Sequence, residues 1–332
     1  MIKIGVIGTG KWGINHLRVY KQIPNCQLIG LADIDEKKKA LADEHNIKFF
    51  KDYKEMLKEV DAISVVVPTD LHYGIVKECL NANKHVLVEK PITLDSKQAK
   101  DLVTIAKEKK LILSVGYLFR FNPAVIELQK IIKSGELGKI QYITARYIHS
   151  SKPPRKDSGV VFNLGIHLID VLNFILEEKP KRVYCKKTNY LNQLQEDSAN
   201  IMLDYGSFYT DLEVSCCHPL KKRDMWVIAG KEKIYIDFLE QIMIRYPLQI
   251  TEEQIITEKE KNIEIRKNEP LKDQLQHFIN CVEEQKNNNN NQKQNGQELQ
   301  KIRNIGEEEY YTTKICELAL ESAKIRTDLE LR

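Results

Sequence analysis

A chain of 332 residues with 42% hydrophobic and 30% charged residues carries enough apolar material for two folded domains, which excludes a disordered protein. Its net charge of +4, with both signs interspersed, leaves no footprint for a nucleic acid, and no apolar run approaches the roughly 18 residues of a membrane span. The seven cysteines form no CxxC pair, so they read as reduced thiols with no metal site expected. With a first strand entered by Ile2, a signal peptide is not expected and the protein is placed in the cytoplasm.

In chain order, Ile2 to Ile7 is a β-rich run that leads into Gly8-Thr9-Gly10-Lys11-Trp12-Gly13 and an amphipathic helix to about Gln22. Gly8 permits the tight turn, Gly10 lets a pyrophosphate approach the backbone, and Gly13 lets the helix pack on the strand. The helix N-terminus then offers N–H groups and a positive dipole end to phosphates. A second strand, Gln27 to Ala32, ends on Asp33 about 20 residues past Gly13, as a dinucleotide site requires. Asp33 can accept from a ribose 2′-hydroxyl but repels a 2′-phosphate, and Ile34 adds no compensating charge, so NAD is expected over NADP. Lys37, Lys38 and Lys39 read as a solvated helix face.

The alternation continues. A helix from Glu36 to His45, a strand at Lys48 to Phe50, a helix from Tyr53 to Glu59 and a strand from Ala62 to Val67 follow. Pro68-Thr69-Asp70 opens a helix from Leu71 to Ala82, whose first turn puts His72 either towards the cofactor or towards solvent. His85 to Val88 is a mostly apolar strand stopped by Glu89-Lys90-Pro91, since Pro91 lacks the ladder donor. Glu89 and Lys90 therefore sit at the carboxyl end of a strand, where open α/β sheets hold their ligands. Ser96 to Lys109 as helix and Leu111 to Val115 as strand complete six strands of a doubly wound parallel sheet, an N-terminal α/β Rossmann domain over residues 1–118.

At Gly116-Tyr117-Leu118-Phe119-Arg120-Phe121-Asn122-Pro123 the pattern changes. After a helix from Ala124 to Lys133, strand-like runs dominate: Gln141 to Ile148, Arg182 to Asn189, Ala199 to Asp204, Phe208 to Cys216, Met225 to Ile228 and Lys233 to Phe238. Several alternate apolar with polar residues, so residues 119–332 read as an α+β domain with a largely antiparallel open sheet. Its wetter face is a candidate surface for a homo-oligomer, dimer or tetramer.

One helix interrupts that sheet, from Val161 to Phe174. At about 100° per residue, Asn163, His167 and Asp170 fall within roughly 60° of one another on an otherwise apolar helix. A buried polar stripe must find partners. Asp170 can fix the tautomer of His167 and leave one ring nitrogen to exchange a proton. Further on, the asparagine-rich tract within residues 285–300 is expected to be a disordered surface loop between a helix from Leu271 to Glu284 and a last helix from Glu307 to Lys324.

Gly8-Thr9-Gly10 with Gly13, then Glu89-Lys90-Pro91, then Asn163-x-Gly165-x-His167-x-x-Asp170 together resemble the Gfo/Idh/MocA oxidoreductase family over nearly the whole chain. The resemblance implies NAD(P)-dependent oxidation or reduction of sugar and cyclitol carbons, with Lys90 and His167 at the reacting hydroxyl and Asn163 where many members carry Asp. The run from Gly116 to Val125 and the loop Pro153-Pro154-Arg155 further resemble a nucleotide-sugar 3-dehydrogenase branch. That resemblance implies a UDP-N-acetylhexosamine or its uronate as substrate, met by Tyr117, Arg120, Asn122 and Arg155. A free sugar or inositol, or a non-catalytic NAD-binding sensor, are the competing readings. With Lys90 in the first domain and His167 in the second, the site is expected to lie between them.

Overall fold

In the computed structural model, which describes residues 1–151, 158–191, 194–290 and 307–331, six strands alternate with helices from the start of the chain. They are β1 (Ile2–Ile7), α1 (Lys11–Tyr20), β2 (Cys26–Ala32), α2 (Lys39–His45), β3 (Lys48–Phe50), α3 (Tyr53–Leu57), β4 (Ala62–Val65), α4 (His72–Asn81), β5 (His85–Val88), α5 (Ser96–Glu108) and β6 (Leu113–Val115). All pair in parallel, in the order β3-β2-β1-β4-β5-β6. The order reverses between β1 and β4, and such a switch point is where doubly wound sheets bind dinucleotides. Strand β5 is apolar after His85 because helices cover both faces of the sheet; Val86, Leu87 and Val88 have no exposed surface. Burying each such side chain stabilises the fold by about 1.5–3 kcal/mol.

The second unit carries α6 (Pro123–Ser134), β7 (Ile140–Ser150), α7 (Ile166–Leu176), β8 (Arg182–Thr188), β9 (Ser198–Asp204), β10 (Tyr209–Ser215), β11 (Cys217–Ala229), β12 (Lys233–Asp237), β13 (Ile242–Tyr246), β14 (Leu248–Ile250), β15 (Ile255–Thr257) and β16 (Lys261–Ile263). The strands form a nine-stranded sheet that ends on β17 (Leu329–Glu330), in the order β16-β13-β12-β11-β7-β10-β9-β8-β17. Only β7 and β10 pair in parallel; the other neighbours are antiparallel. Strands β14 and β15 make a separate ribbon. Strand β8 alternates buried and exposed residues, as expected of a sheet with one wet face. Periodicity gave no strand between Phe238 and Glu269. The four strands there lie in a charged stretch whose ribbon leaves Ile255 and Ile256 exposed, so no alternation marks them.

The chain then returns to the first unit through α8 (Pro270–Asn290), and α9 (Glu307–Ile325) follows. One unit comprises Met1–Leu118 with Glu269–Tyr311, the other Phe119–Asn268 with Thr312–Arg332. The division thus falls at Leu118/Phe119, but α8 is not part of the second unit, to which chain order assigned it. Leu271, Leu275, Phe278, Ile279 and Val282 form a helical stripe buried in one core with Ile2, Ile4, Leu17 and Tyr20. Periodicity shows that such a stripe is buried, not which surface buries it. The loop expected from residue 285 is also corrected, because α8 continues to Asn290. The rest of that tract, and Arg155, lie outside the described residues.

Candidate active site

In the first unit the turn after β1 needs its glycines for stereochemical reasons. Gly8 has φ +87°, and a Cβ there would meet the Val66 carbonyl oxygen at 2.7 Å. A Cβ on Gly13 would sit 2.1 Å from the Gly8 carbonyl oxygen. Around Gly10 a Cβ would find nothing within 4 Å, so the loop keeps an open face where a ligand can approach the backbone. No side chain caps α1, whose first turn carries no acidic residue, and its N–H groups are available to an anion.

Asp33 closes this loop from β2. Its Oδ2 accepts from the Thr9 amide at 2.8 Å and the Thr9 hydroxyl at 2.6 Å, and its Oδ1 accepts from the Asp35 amide at 3.0 Å. Burial pushes the carboxyl up, but the Thr9 and Asp35 hydrogen bonds and the Lys38 charge outweigh it and hold Asp33 below its ordinary value. The fixed negative charge disfavours a 2′-phosphate, and Oδ1 keeps acceptor capacity for a hydroxyl. Beside it Ile34 is 88% exposed, and Trp12 on α1 is 43% exposed. Two flat or apolar surfaces thus flank the loop without a protein partner over much of their area. Lys11 is likewise exposed, as is Pro68 before the turn at Thr69, which is buried. These residues fit a dinucleotide.

The end of β5 is held from below. Glu89 Oε1 lies 3.2 Å from His16 Nε2, and His16 Nδ1 lies 2.8 Å from the Ser64 hydroxyl. Oε2 accepts from the Lys90 amide at 3.2 Å. Burial pushes the Glu89 carboxyl up, yet the His16 hydrogen bond and the His16 and Lys90 charges bring it below its ordinary value. A Cβ on Gly116 would sit 2.9 Å from Oε1, so a larger residue would displace the carboxylate that receives the Lys90 amide. His16 has no exposed surface and was not distinguished by periodicity from the apolar face of α1. The Lys90–Pro91 peptide is cis.

His72 is neither solvent-facing nor available to a cofactor. It is 1% exposed, with Nδ1 2.8 Å from the Pro91 carbonyl oxygen and Nε2 2.9 Å from that of Val67. It fastens the loops after β4 and β5 to each other. Placing it among the cofactor ligands is corrected on that ground.

In the second unit the polar stripe separates into three different roles. Residues Val161–Gly165 form a π-helical turn before α7, a widening often found at functional sites. Glu196 anchors it, accepting from the Val161 amide at 3.0 Å, and its carboxyl group fills the space a Cβ on Gly159 would need. Asn163 donates from Nδ2 to the Ser158 carbonyl oxygen at 2.8 Å. Asp170 is engaged by Arg120. Its carboxylate receives Arg120 through Nε at 3.0 and 3.1 Å and Nη2 at 2.5 Å, with both side chains almost fully buried. His167, 6% exposed, packs against two rings: Phe119 at 5.3 Å and Tyr147 at 5.7 Å between centroids.

Arg120 therefore directs its charge to Asp170, which corrects its expected role towards a diphosphate. Asn122 is also structural. It caps α6, accepting from the Ala124 amide at 3.0 Å, and donates to the Phe238 carbonyl oxygen at 2.9 Å. An Asn followed by Pro at the first helical position is a helix-start signal available in the sequence. Tyr117, at the end of β6, has no exposed surface and presents none to a ligand. Among the described residues no group of three or more His, Cys, Asp or Glu is placed to hold a metal ion, and no helix is long and apolar enough to cross a membrane.

Two family models match. Residues 2–117 match an oxidoreductase family with an NAD-binding Rossmann fold, and residues 125–236 match the GFO/IDH/MocA C-terminal domain. The chain is 32% identical over 180 residues to a UDP-N-acetylglucosamine 3-dehydrogenase of Acidithiobacillus ferrooxidans, covering 54% of this chain and 56% of that protein. It is 27% identical over 188 residues to an inositol 2-dehydrogenase of Rhizobium meliloti, covering 55% and 57%. In sequence, it thus spans little more than half the length of the curated relatives it matches. A solved structure of the A. ferrooxidans enzyme superposes with a TM-score of 0.83 at 23% identity, covering 98% of both chains, which shows a common fold.

Proposed function

The chain belongs to the GFO/IDH/MocA family of NAD-binding oxidoreductases, and on that premise we propose that it is a dehydrogenase of CH–OH groups acting on the 3-hydroxyl of a UDP-N-acetylhexosamine or its uronate. The observation that carries the hydride-transfer reading is His167, a nearly buried imidazole held between aromatic rings while the neighbouring Asp170 is neutralised elsewhere. An alcohol gives up hydride readily only as its proton leaves, so a base must reach the hydroxyl. His167 takes that proton, and the Lys90 ammonium stabilises the negative charge that develops as the proton leaves. NAD, when bound, supplies the hydride acceptor. Gly8, Thr9, Gly10, Lys11, Trp12 and Gly13 would hold its pyrophosphate, and Asp33 and Ile34 its adenosine ribose. Glu89 keeps Lys90 in place through the backbone amide.

The nucleotide-sugar substrate rests on the similarity to the A. ferrooxidans enzyme, no longer on Arg120. The inositol dehydrogenase relative favours a second reading, a neutral cyclitol or free sugar. Incubation with UDP-N-acetylglucosamine, its uronate, glucose and myo-inositol, each with NAD and with NADP, separates them. NADH is expected from a UDP-sugar, with kcat/KM for NAD at least about ten-fold above NADP, or about 1.4 kcal/mol. NADH from glucose or myo-inositol alone would refute the nucleotide-sugar reading, and equal use of NADP would refute the role given to Asp33.

The same reading places the protein in the cytoplasm as a homo-oligomer. Support comes from the wet face of the nine-stranded sheet, where Tyr184, Met202 and Tyr209 are 39–43% exposed and apolar area invites a second copy. A dimer or tetramer is expected by sedimentation velocity at micromolar concentration; a monomer would remove this part.

A further inference from the structure

Beside His167 the second unit holds a half-buried arginine with no counter-charge among the described residues. Arg223, on β11, stands opposite Tyr147 of β7 in the antiparallel register. Its guanidinium carbon lies 4.3 Å from the centre of the Tyr147 ring, the ring that also stacks on His167. Three other arginines in or near the interior of this unit are each matched: Arg120 by Asp170, Arg146 by Asp224 and Arg245 by Glu232. Arg223 forms no ion pair among the described residues, and its Nε is buried without a hydrogen-bond partner.

A guanidinium is a planar fork of donors suited to two oxygens of a carboxylate or phosphate. Tyr147 sets the plane of that fork through a cation–π contact, which offsets part of the cost of keeping the charge half-buried. His149 packs edge-on to Tyr147, and its imidazole is held below its ordinary value by burial and then by the charges of Arg223 and Lys221. The geometry is that of a pre-set receptor for a negative group, one aromatic ring away from the proposed base.

We propose that Arg223 binds an anionic group of the substrate, a carboxylate or a phosphate, while His167 meets the hydroxyl that is oxidised. This rests on the role given to His167 above and narrows the substrate class to charged sugar derivatives. It makes Arg223 a specificity residue that discriminates against neutral polyols.

The test uses Arg223→Gln and Arg223→Lys in the full chain with NAD. Glucuronate supplies the carboxylate alone, UDP-N-acetylglucosamine the phosphates alone, and myo-inositol neither. For whichever anionic compound the unsubstituted enzyme oxidises, Arg223→Gln is expected to raise KM about thirty-fold and to change kcat less than about three-fold. Arg223→Lys, which keeps charge but loses the fork, is expected to fall between, and it carries the reading if the glutamine variant fails to fold. An unchanged KM in a variant of an enzyme that does oxidise a UDP-sugar overturns the role of Arg223 and leaves the proposed function standing. Oxidation of myo-inositol alone overturns both. If nothing is turned over, calorimetric titration of glucuronate and of UDP decides: equal affinity in the unsubstituted protein and the Arg223→Gln variant refutes the site.

Discussion

Lys90→Ala and His167→Ala are each expected to lower turnover by about a hundred-fold or more, with NADH binding, read by fluorescence titration, little changed. The expectation follows from separate duties. On the proposed roles, removing His167 would leave the hydroxyl proton without an acceptor at the moment hydride departs. Removing Lys90 would, on the same proposal, leave the developing alkoxide without its cation. Neither change touches the glycine turn, Asp33 or the open face at Gly10, so the dinucleotide should still bind. If both residues serve one step, their effects are not additive, and the double variant should be little worse than the poorer single one. Near-normal turnover in either single variant removes that residue from the mechanism. Full additivity in the double variant would assign the two residues to different steps.

The elements that make up the fold were legible because they rest on local rules. The period-2 and 3.6 patterns, the glycine turn and Asp33 at the end of β2 each report a constraint that acts over a few residues. Where a side chain's partner is remote in sequence, the pattern goes silent. Asp170 looked like the orienting partner of His167 because the two share a helix face, yet it lies 50 positions from Arg120, which binds it. His72 and His16 had no distinguishing neighbours; what fixes their roles are carbonyls and a hydroxyl on other strands. Arg223 was hidden for a different reason. It sits in Lys221-Lys222-Arg223, after a break in the β7–β11 register between Cys217 and Lys222, where alternation is lost. A run of three cations there reads as a solvated loop, although the third is half-buried on a tyrosine ring.

The pair that sequence reading split between catalysis and substrate binding should make the second unit sensitive to the loss of either partner. Arg120 and Asp170 are both withdrawn from water, and three hydrogen bonds join them. The guanidinium also lies 5.8 Å from the ring centre of Phe174, one turn along α7 from Asp170. Replacing one partner strands the other as a buried, unpaired charge. Arg120→Met or Asp170→Leu is therefore expected to cost about 3–5 kcal/mol, a loss of roughly 6–20 °C in melting temperature for a unit of this size. The combined replacement leaves no charge behind and fills the space with apolar atoms, so it should recover most of that loss. This separates a structural pair from a ligand-binding arginine. A diphosphate-binding Arg120 would give an Arg120→Met protein that melts normally and binds UDP poorly. The pairing seen here gives the opposite result, a protein that melts early and is rescued by a second substitution at Asp170.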